Sequence, residues 1–225
     1  MAERSERALF VREFLRDPVR TASVVPSSAA LADRMVAALP ERGEPVVVEL
    51  GPGTGAFTEA IQRRLAGRGR HVAVELNDRM AGHLRERFPG AEVVTGAADD
   101  LPRILAGCGI AQADLIVSGL PWTVYFGGER PLVTTVASCL APHGAFTQFT
   151  YAWTAWTPPA RRQRAQLRAA FEEVVLGRTV WRNMPPAFVY VARRPRPAAT
   201  PIAEARRSGA LKDGRDHEAV PVSTA

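Results

Sequence analysis

Val46-Val47-Val48-Glu49-Leu50-Gly51-Pro52-Gly53-Thr54-Gly55 is the stretch that decides the fold. An apolar run of strand length ends at Gly51, three glycines alternate through a turn, and a helical period follows. Glycines at such a turn permit positive φ and let a ligand approach the backbone with no Cβ in the way. After the first strand of an open α/β sheet, the turn falls at the carboxyl edge, where ligands bind. Glu75, 24 positions after Gly51, stands near the end of the second strand. A carboxylate there can accept both ribose hydroxyls of an adenosine cofactor. The residues alone leave the choice of cofactor open. Dinucleotide fingerprints read G-x-G-x-x-G, whereas this turn reads G-P-G-T-G with Glu49 in the strand before it.

Outward from this stretch, short β runs alternate with helical patterns, which predicts a mainly parallel sheet covered on both faces. Strands are expected at Val46–Leu50, His71–Leu76, Glu92–Thr95, Asp114–Ser118, Ala145–Tyr151, Val174–Arg182 and Phe188–Arg193. Helices are expected from about Thr54 to Ala66, over Arg79–Phe88, near Pro131–Leu140 and over Arg161–Phe171. Ahead of the sheet, Ala29–Leu39 reads as a helix capped by Ser27 or Ser28. Residues 1 to about 20 read as a basic amphipathic unit stopped at Pro18. On it Phe10, Val11, Phe14 and Leu15 share one arc, with Arg12, Glu13, Arg16 and Asp17 opposite. Beyond Arg194 the chain turns to Pro, Ala, Ser and mixed charge with no apolar period, the mark of a disordered tail. The expected organisation is an N-terminal helical extension over 1–40, a body over 41–194 and a tail over 195–225.

The 225 residues suit one domain with room for an appendage, and a core large enough to fold unaided. Apolar stretches are cut by Asp, Arg, Pro or Gly before the roughly 20 residues a spanning helix needs. The start, MAERSERALF, carries charges where a signal peptide needs apolar residues. The expectation is therefore neither an integral membrane protein nor a secreted one. Cys108 and Cys139 make no metal spacing and read as small buried thiols. His71, His83, His143 and His217 are scattered, so no metal site is expected. A net charge of +6 and a pI near 10.3 favour anionic partners: lipid surfaces, nucleic acid or acidic metabolites.

The ordered E-x-G-x-G-x-G turn and acidic second-strand end resemble motif I and its sequel in class I S-adenosylmethionine-dependent methyltransferases. Further pieces carry a narrower likeness: Phe14-Leu15-Arg16-Asp17-Pro18, Val24-Val25-Pro26-Ser27-Ser28, Ser118-Gly119-Leu120-Pro121, Gln148-Phe149-Thr150-Tyr151 and Arg182-Asn183-Met184-Pro185-Pro186-Ala187. In this order, over about Phe14 to Arg193, they resemble the soluble bacterial phospholipid N-methyltransferases, which convert phosphatidylethanolamine stepwise to phosphatidylcholine at an anionic membrane surface. The resemblance implies a Rossmann-like α/β fold with a seven-stranded mixed sheet, helices on both faces and an N-terminal helical extension. It implies S-adenosylmethionine as cofactor, surrounded by Glu49, Gly51, Gly53, Gly55, Glu75, Leu76, Ala98 and Asp99, and no metal. Related proteins usually carry Gly-Asp-Ala after the third strand. Here Gly96-Ala97-Ala98 stands there, which leaves Asp99 or the Ala98 N–H for adenine.

The reacting end is expected at Ser118, Gly119, Leu120, Pro121 and Trp122. Adenine N6-methyltransferases resemble this loop but carry Asn-Leu-Pro-Tyr or Asp-Pro-Pro-Tyr, whose Asn or Asp accepts from the amino group. Gly119 removes that acceptor, and Leu-Pro-Trp keeps a backbone carbonyl and an aromatic face that can pack a methylated cation. An ordinary loop with a packed Trp is the plainer reading. Tyr151, Arg182 and Asn183 are the expected contacts to a head-group phosphate. The N-terminal helix reads either as an interfacial anchor, through Phe10, Val11, Phe14 and Leu15, or as a cap on the core. The implied partners are a phospholipid head group and an anionic membrane surface, with nucleic acid unlikely; the implied location is cytoplasmic, on the inner face of the membrane. An RNA adenine methyltransferase, a small-molecule amine methyltransferase and a non-catalytic binder are the competing readings.

Overall fold

A computed structural model describes residues 27–120 and 131–197. The elements run α1 (Ala29–Met35), β1 (Val46–Leu50), α2 (Ala56–Leu65), β2 (Arg70–Glu75), α3 (Asp78–Arg87), β3 (Glu92–Thr95), α4 (Leu101–Gly107) and β4 (Ala113–Ser118). There follow α5 (Leu132–Ser138), β5 (Leu140–Tyr151), α6 (Pro158–Ala170), β6 (Phe171–Leu176) and β7 (Ala187–Pro195). The seven strands form one sheet in the order β3-β2-β1-β4-β5-β7-β6. Its first five members pair in parallel, and β7 inserts antiparallel between β5 and β6. This is a Rossmann-like α/β fold with a mixed seven-stranded sheet, as the glycine-turn reading anticipates.

Strand alternation builds two cores. Val48 and Leu50 of β1 face one cluster, where Leu101, Val133 and Leu167 of α4, α5 and α6 close over the sheet. Val47 faces the other, with Leu31 and Met35 of α1 and Phe57 and Ile61 of α2. Helix α1 is thus part of the body, although its residues fall in the expected N-terminal extension. Caps set the starts: Ser28 Oγ accepts from the Leu31 N–H at 3.2 Å, and Asn77 Oδ1 accepts from the Met80 N–H at 3.1 Å. Thr157 caps α6, which begins at Pro158 rather than Arg161, because prolines suit the first helical turn.

Several further elements differ from expectation. The short helix α4 is absent from the sequence reading; its buried Leu101 and Leu105 supply only one turn of apolar spacing. Strand β5 begins at Leu140, with a register shift opposite Ala113 and Leu115 that lets Pro142 and Gly144 pass. Strand β6 covers Phe171–Leu176 rather than Val174–Arg182. Gly177 follows it, and Val180 regains contact only as a single bridge to Ala187. Strand β7 continues through Pro195, which pairs with Phe171, and the Arg196 N–H donates to the Ala170 carbonyl at 2.8 Å. The sheet therefore runs past the point where the tail was expected to begin. The amphipathic unit with Phe10, Val11, Phe14 and Leu15, and the tail from 198 onward, lie outside the described residues. No described helix is long and apolar enough to cross a membrane.

Candidate active site

The carboxyl ends of β1, β2, β3 and β4 are laced together by main-chain hydrogen bonds. The Gly51 N–H donates to Val74 O at 3.0 Å, the Gly96 N–H to Glu75 O at 3.0 Å, and the Gly119 N–H to Leu50 O at 2.8 Å. These bonds bring Glu49, Gly51, Gly53, Gly55, Glu75 and Gly119 to one edge. Gly53 has φ of 55°, a conformation that suits glycine. A Cβ there would have only Met80 Cε nearby, at 4.0 Å, so it would project into open space over the turn. Gly51, with φ of 67°, is also in the left-handed region, and a Cβ there would in addition push Leu120 Cδ2 aside.

Glu75 closes β2 with its carboxylate nearly buried. Oε2 accepts from the Gly53 N–H at 3.2 Å and Oε1 from the Asn77 N–H at 3.0 Å. One oxygen is thereby anchored to each side of the cleft, and the remaining lone pairs suit a vicinal diol. The strand ends here, so Leu76 begins the turn with 74% of its surface exposed. An apolar side chain so placed offers a face for a flat base.

Glu49 is fully buried on the α2 side of the sheet. Its Oε2 accepts from Thr58 Oγ1 at 2.8 Å and stands 3.3 Å from His71 Nε2. Gln62 Nε2 donates to the Gly90 carbonyl at 3.3 Å, which fixes the amide orientation, so its 2.8 Å contact makes His71 Nδ1 the acceptor. The ring proton then lies on Nε2, which is near Glu49 but, like Glu49 Oε1, completes no hydrogen bond among the described residues. Glu49 Oε1 is buried without a hydrogen-bond partner among the described residues. An orphaned carboxylate oxygen is costly in isolation, and a bound ammonium group is the kind of ligand that offsets it. Thr58, Gln62 and His71 escape the sequence reading. The available signal was Thr58 and Gln62, polar residues at i, i+4 spacing on α2, beside its buried apolar positions.

After β3, Ala98–Asp100 form one 3₁₀ turn in which Ala98 is partly buried and Asp99 exposed. Ser118 is fully buried, and its Oγ accepts from the Leu120 N–H at 3.3 Å. A Cβ on Gly119 would stand 2.6 Å from Gly51 O. Pro121 and Trp122 lie outside the described residues.

Tyr151 ends β5 in an aromatic chain: its ring meets Phe149 edge-on at 5.4 Å, and Phe149 meets Phe57 at 5.8 Å. Burial pushes the Tyr151 phenol above its ordinary range. Arg182 is exposed in a turn between β6 and β7, not at a strand end, because β6 stops at Leu176. Asn183 is buried and occupied: its Oδ1 accepts from the Ser28 N–H at 2.9 Å, and its Nδ2 donates to Pro185 O at 2.7 Å. It ties the start of α1 to the β6–β7 loop rather than presenting its amide to a ligand. Among the described residues no cluster could hold a metal ion.

The residues present fit S-adenosylmethionine: a glycine cradle that a Cβ would fill, a diol-binding carboxylate, an exposed apolar face beside it and an orphaned buried acceptor. Residues 47–144 match the family described as a methyltransferase domain. The chain belongs to the class I S-adenosylmethionine-dependent methyltransferases, and S-adenosylmethionine is its cofactor. It is 36% identical over 189 residues to an ornithine lipid N-methyltransferase of Singulisphaera acidiphila, a match spanning 82% of this chain and 94% of that one. It is 40% identical over 99 residues to ribosomal RNA small subunit methyltransferase A of Acidobacterium capsulatum, spanning 42% of this chain and 33% of the relative. The fold is also that of human methyltransferase-like protein 13 in complex with SAH, with a TM-score of 0.52 and 19% identity over 84% of this chain and 92% of that one. The likeness to ribosomal RNA methyltransferases overturns the expectation that nucleic acid is an unlikely partner.

Proposed function

We propose that this protein is an N-methyltransferase whose acceptor is the amine of a lipid head group. The observation that carries this reading is the near-complete correspondence with an ornithine lipid N-methyltransferase, 94% of whose length is matched. The acceptor class is accordingly an amine-bearing lipid, with an ornithine head group joining the ethanolamine head group implied by the resemblance. The loop after β4 agrees. With glycine at 119 it offers main-chain carbonyls, which suit a flexible alkylamine.

When bound, S-adenosylmethionine would supply a methyl group on a sulfonium, which an amine lone pair could take up as the S–C bond is given up, with the nitrogen's proton passing to water. The chain's own work is alignment. In this reading Glu75 and Gly53 fix the ribose, and Leu76 covers the adenine. Glu49, held by Thr58 and standing beside His71, receives the ammonium of the cofactor's amino-acid end. Ser118 shapes the Gly119–Leu120 carbonyls toward the incoming nitrogen, and a dry site favours the uncharged, nucleophilic amine.

A second reading, methylation of an adenine amino group in RNA, is supported by the 99-residue match and by the Leu120-Pro121-aromatic loop. Purified protein incubated with labelled S-adenosylmethionine and separate pools of ornithine lipid, phosphatidylethanolamine and small-subunit ribosomal RNA distinguishes the two. Label in a lipid amine is expected; label only in RNA transfers the assignment to the second reading.

A further inference from the structure

The described tryptophans gather at one rim. Trp153 lies in the 3₁₀ turn Ala152–Thr154 directly after β5, and Trp156 follows three residues later. Trp181 and Met184 lie in the loop leading into β7. The two segments are joined: Tyr151 pairs with Ala187, Val180 bridges Ala187, and the Ala152 N–H donates to Pro186 O at 2.8 Å. Trp156 and Trp181 are 80% and 77% exposed, and Trp153 and Met184 are about half exposed. Val175 and Leu176, also exposed, extend the apolar surface at the end of β6, which runs parallel to β5. Single exposed apolar residues are ordinary, but a cluster on adjoining loops marks an interaction surface.

Charge narrows the partner. Between residues 131 and 203 the chain has nine arginines and two carboxylates, Glu172 and Glu173. One of these, Glu173, is paired with Arg194 at 3.5 Å. Arg161, Arg162, Arg178 and Arg182 are exposed on the segments that carry or flank the rim. Tryptophan beside arginine suits a membrane–water interface, where the ring is half apolar and half wet and the cation meets lipid phosphate. The same pair of residues also serves RNA, by stacking and phosphate contact. The aliphatic members decide between them: Val175, Leu176 and Met184 gain by leaving water and have no ring to stack on a base.

We propose that this rim is an interfacial docking surface for an anionic lipid bilayer, entered by Trp153, Trp156, Trp181 and Met184. It rests on the lipid-amine reading above and deepens it. Ser118 of β4 pairs with Gln148 of β5, three residues before Tyr151, so rim and reacting end share the sheet's carboxyl edge, about 10 Å apart along the strand. A head group lifted slightly from the bilayer thereby meets the loop after β4. The fourth tryptophan, Trp122, follows β4 in the sequence and lies outside the described residues.

The test uses the full chain with the Trp156→Ser/Trp181→Ser double variant. Vesicles of phosphatidylglycerol with phosphatidylcholine, vesicles of phosphatidylcholine alone and a ribosomal RNA oligonucleotide serve as probes. The wild type is expected to sediment with the anionic vesicles, less so as salt rises, and to show a blue shift of tryptophan emission. The double variant is expected to bind them about tenfold or more weakly, with S-adenosylhomocysteine affinity unchanged as the control for folding. Equal vesicle binding by wild type and variant, no vesicle binding by the wild type, or a loss confined to RNA binding would each overturn the proposal. Methylation of detergent-dispersed lipid is scored separately. Tryptophan-dependent vesicle binding without lipid methylation leaves the rim standing and removes the substrate reading; lipid methylation with tryptophan-independent binding does the reverse.

Discussion

The carbonyl oxygen of Gly51 occupies the space beside Gly119, so that any Cβ at position 119 would come within 2.6 Å of it. The glycine turn after β1 and the start of the loop after β4 are therefore packed main chain against main chain. The same contact explains the missing Asn or Asp: in this arrangement of the two loops an acceptor side chain at 119 would displace the glycine turn.

Gly119→Ala is expected to lower the melting temperature and to weaken S-adenosylhomocysteine binding, because overpacking of this order costs about 1–3 kcal/mol. Gly119→Asn should do the same without creating activity on adenine. Calorimetric titration and thermal melts check both; wild-type affinity in folded Gly119→Asn would show that the loops yield.

Gly53→Ala and Glu75→Gln probe the cradle from opposite sides. Alanine at φ of 55° costs about 1–2 kcal/mol of strain, which a domain of this size survives. Both variants should fold and both should lose cofactor affinity, Gly53→Ala by filling the cradle and Glu75→Gln by weakening the diol acceptor. A cofactor titration of Glu75→Gln indistinguishable from wild type would remove Glu75 from the site.

Thr58→Val keeps the side-chain shape and deletes the donor to Glu49. With a buried carboxylate left less satisfied, a loss of about 1–3 kcal/mol in unfolding free energy is expected. Glu49→Gln alone should also destabilise. The double variant should be less costly than the two single losses added together, because the pair forms one network. Simple additivity in denaturant melts would show that Thr58 and Glu49 act independently.

Arg70 grips Glu92 through two contacts, Nε to Oε1 at 2.9 Å and Nη2 to Oε2 at 2.8 Å, clamping β2 to β3. This hydrogen bonding holds the Glu92 carboxyl below its ordinary value of 4.5. The stabilisation is therefore present above pH 4.5 and lost as pH falls through the lower, folded-state value. The effect is small, since both side chains are partly exposed. Glu92→Gln should melt below wild type at pH 7 and converge with it in acid; a gap constant with pH would assign the difference to something other than charge.

The cofactor half of the fold is legible in the sequence because its signals are local. The strand, glycine turn and helix are contiguous, and Glu75 marks the next strand end without any tertiary information. The second half resists the same reading. Helix α6 passes straight into β6 at Phe171, and Gly177 cuts short a run that continues to look extended as far as Arg182. Within the site, Glu49 is conspicuous while the groups that hold it are not, because Thr58, Gln62 and His71 acquire meaning only once α2 lies across β1 and β2. Asn183 shows the limit most clearly. Its partner Ser28 is 155 positions away, and an amide beside an arginine in a loop looks the same whether it meets a ligand or a distant main-chain N–H.

Because β7 is the last of the described strands and yet lies inside the sheet, the growing chain meets a problem of timing. The strands that carry the glycine turn, Glu75 and Ser118 are all synthesised by residue 118 and can zip together as they leave the ribosome. The far edge of β5 must then wait for Arg193, 42 residues beyond Tyr151, or about 2–8 s of synthesis. During that interval a strand with an apolar interior presents unpaired main-chain groups to every neighbouring nascent chain. Helper proteins that shield exposed edges would matter most for this molecule in those seconds, and a strain poor in them should lose newly made protein while sparing what has already matured.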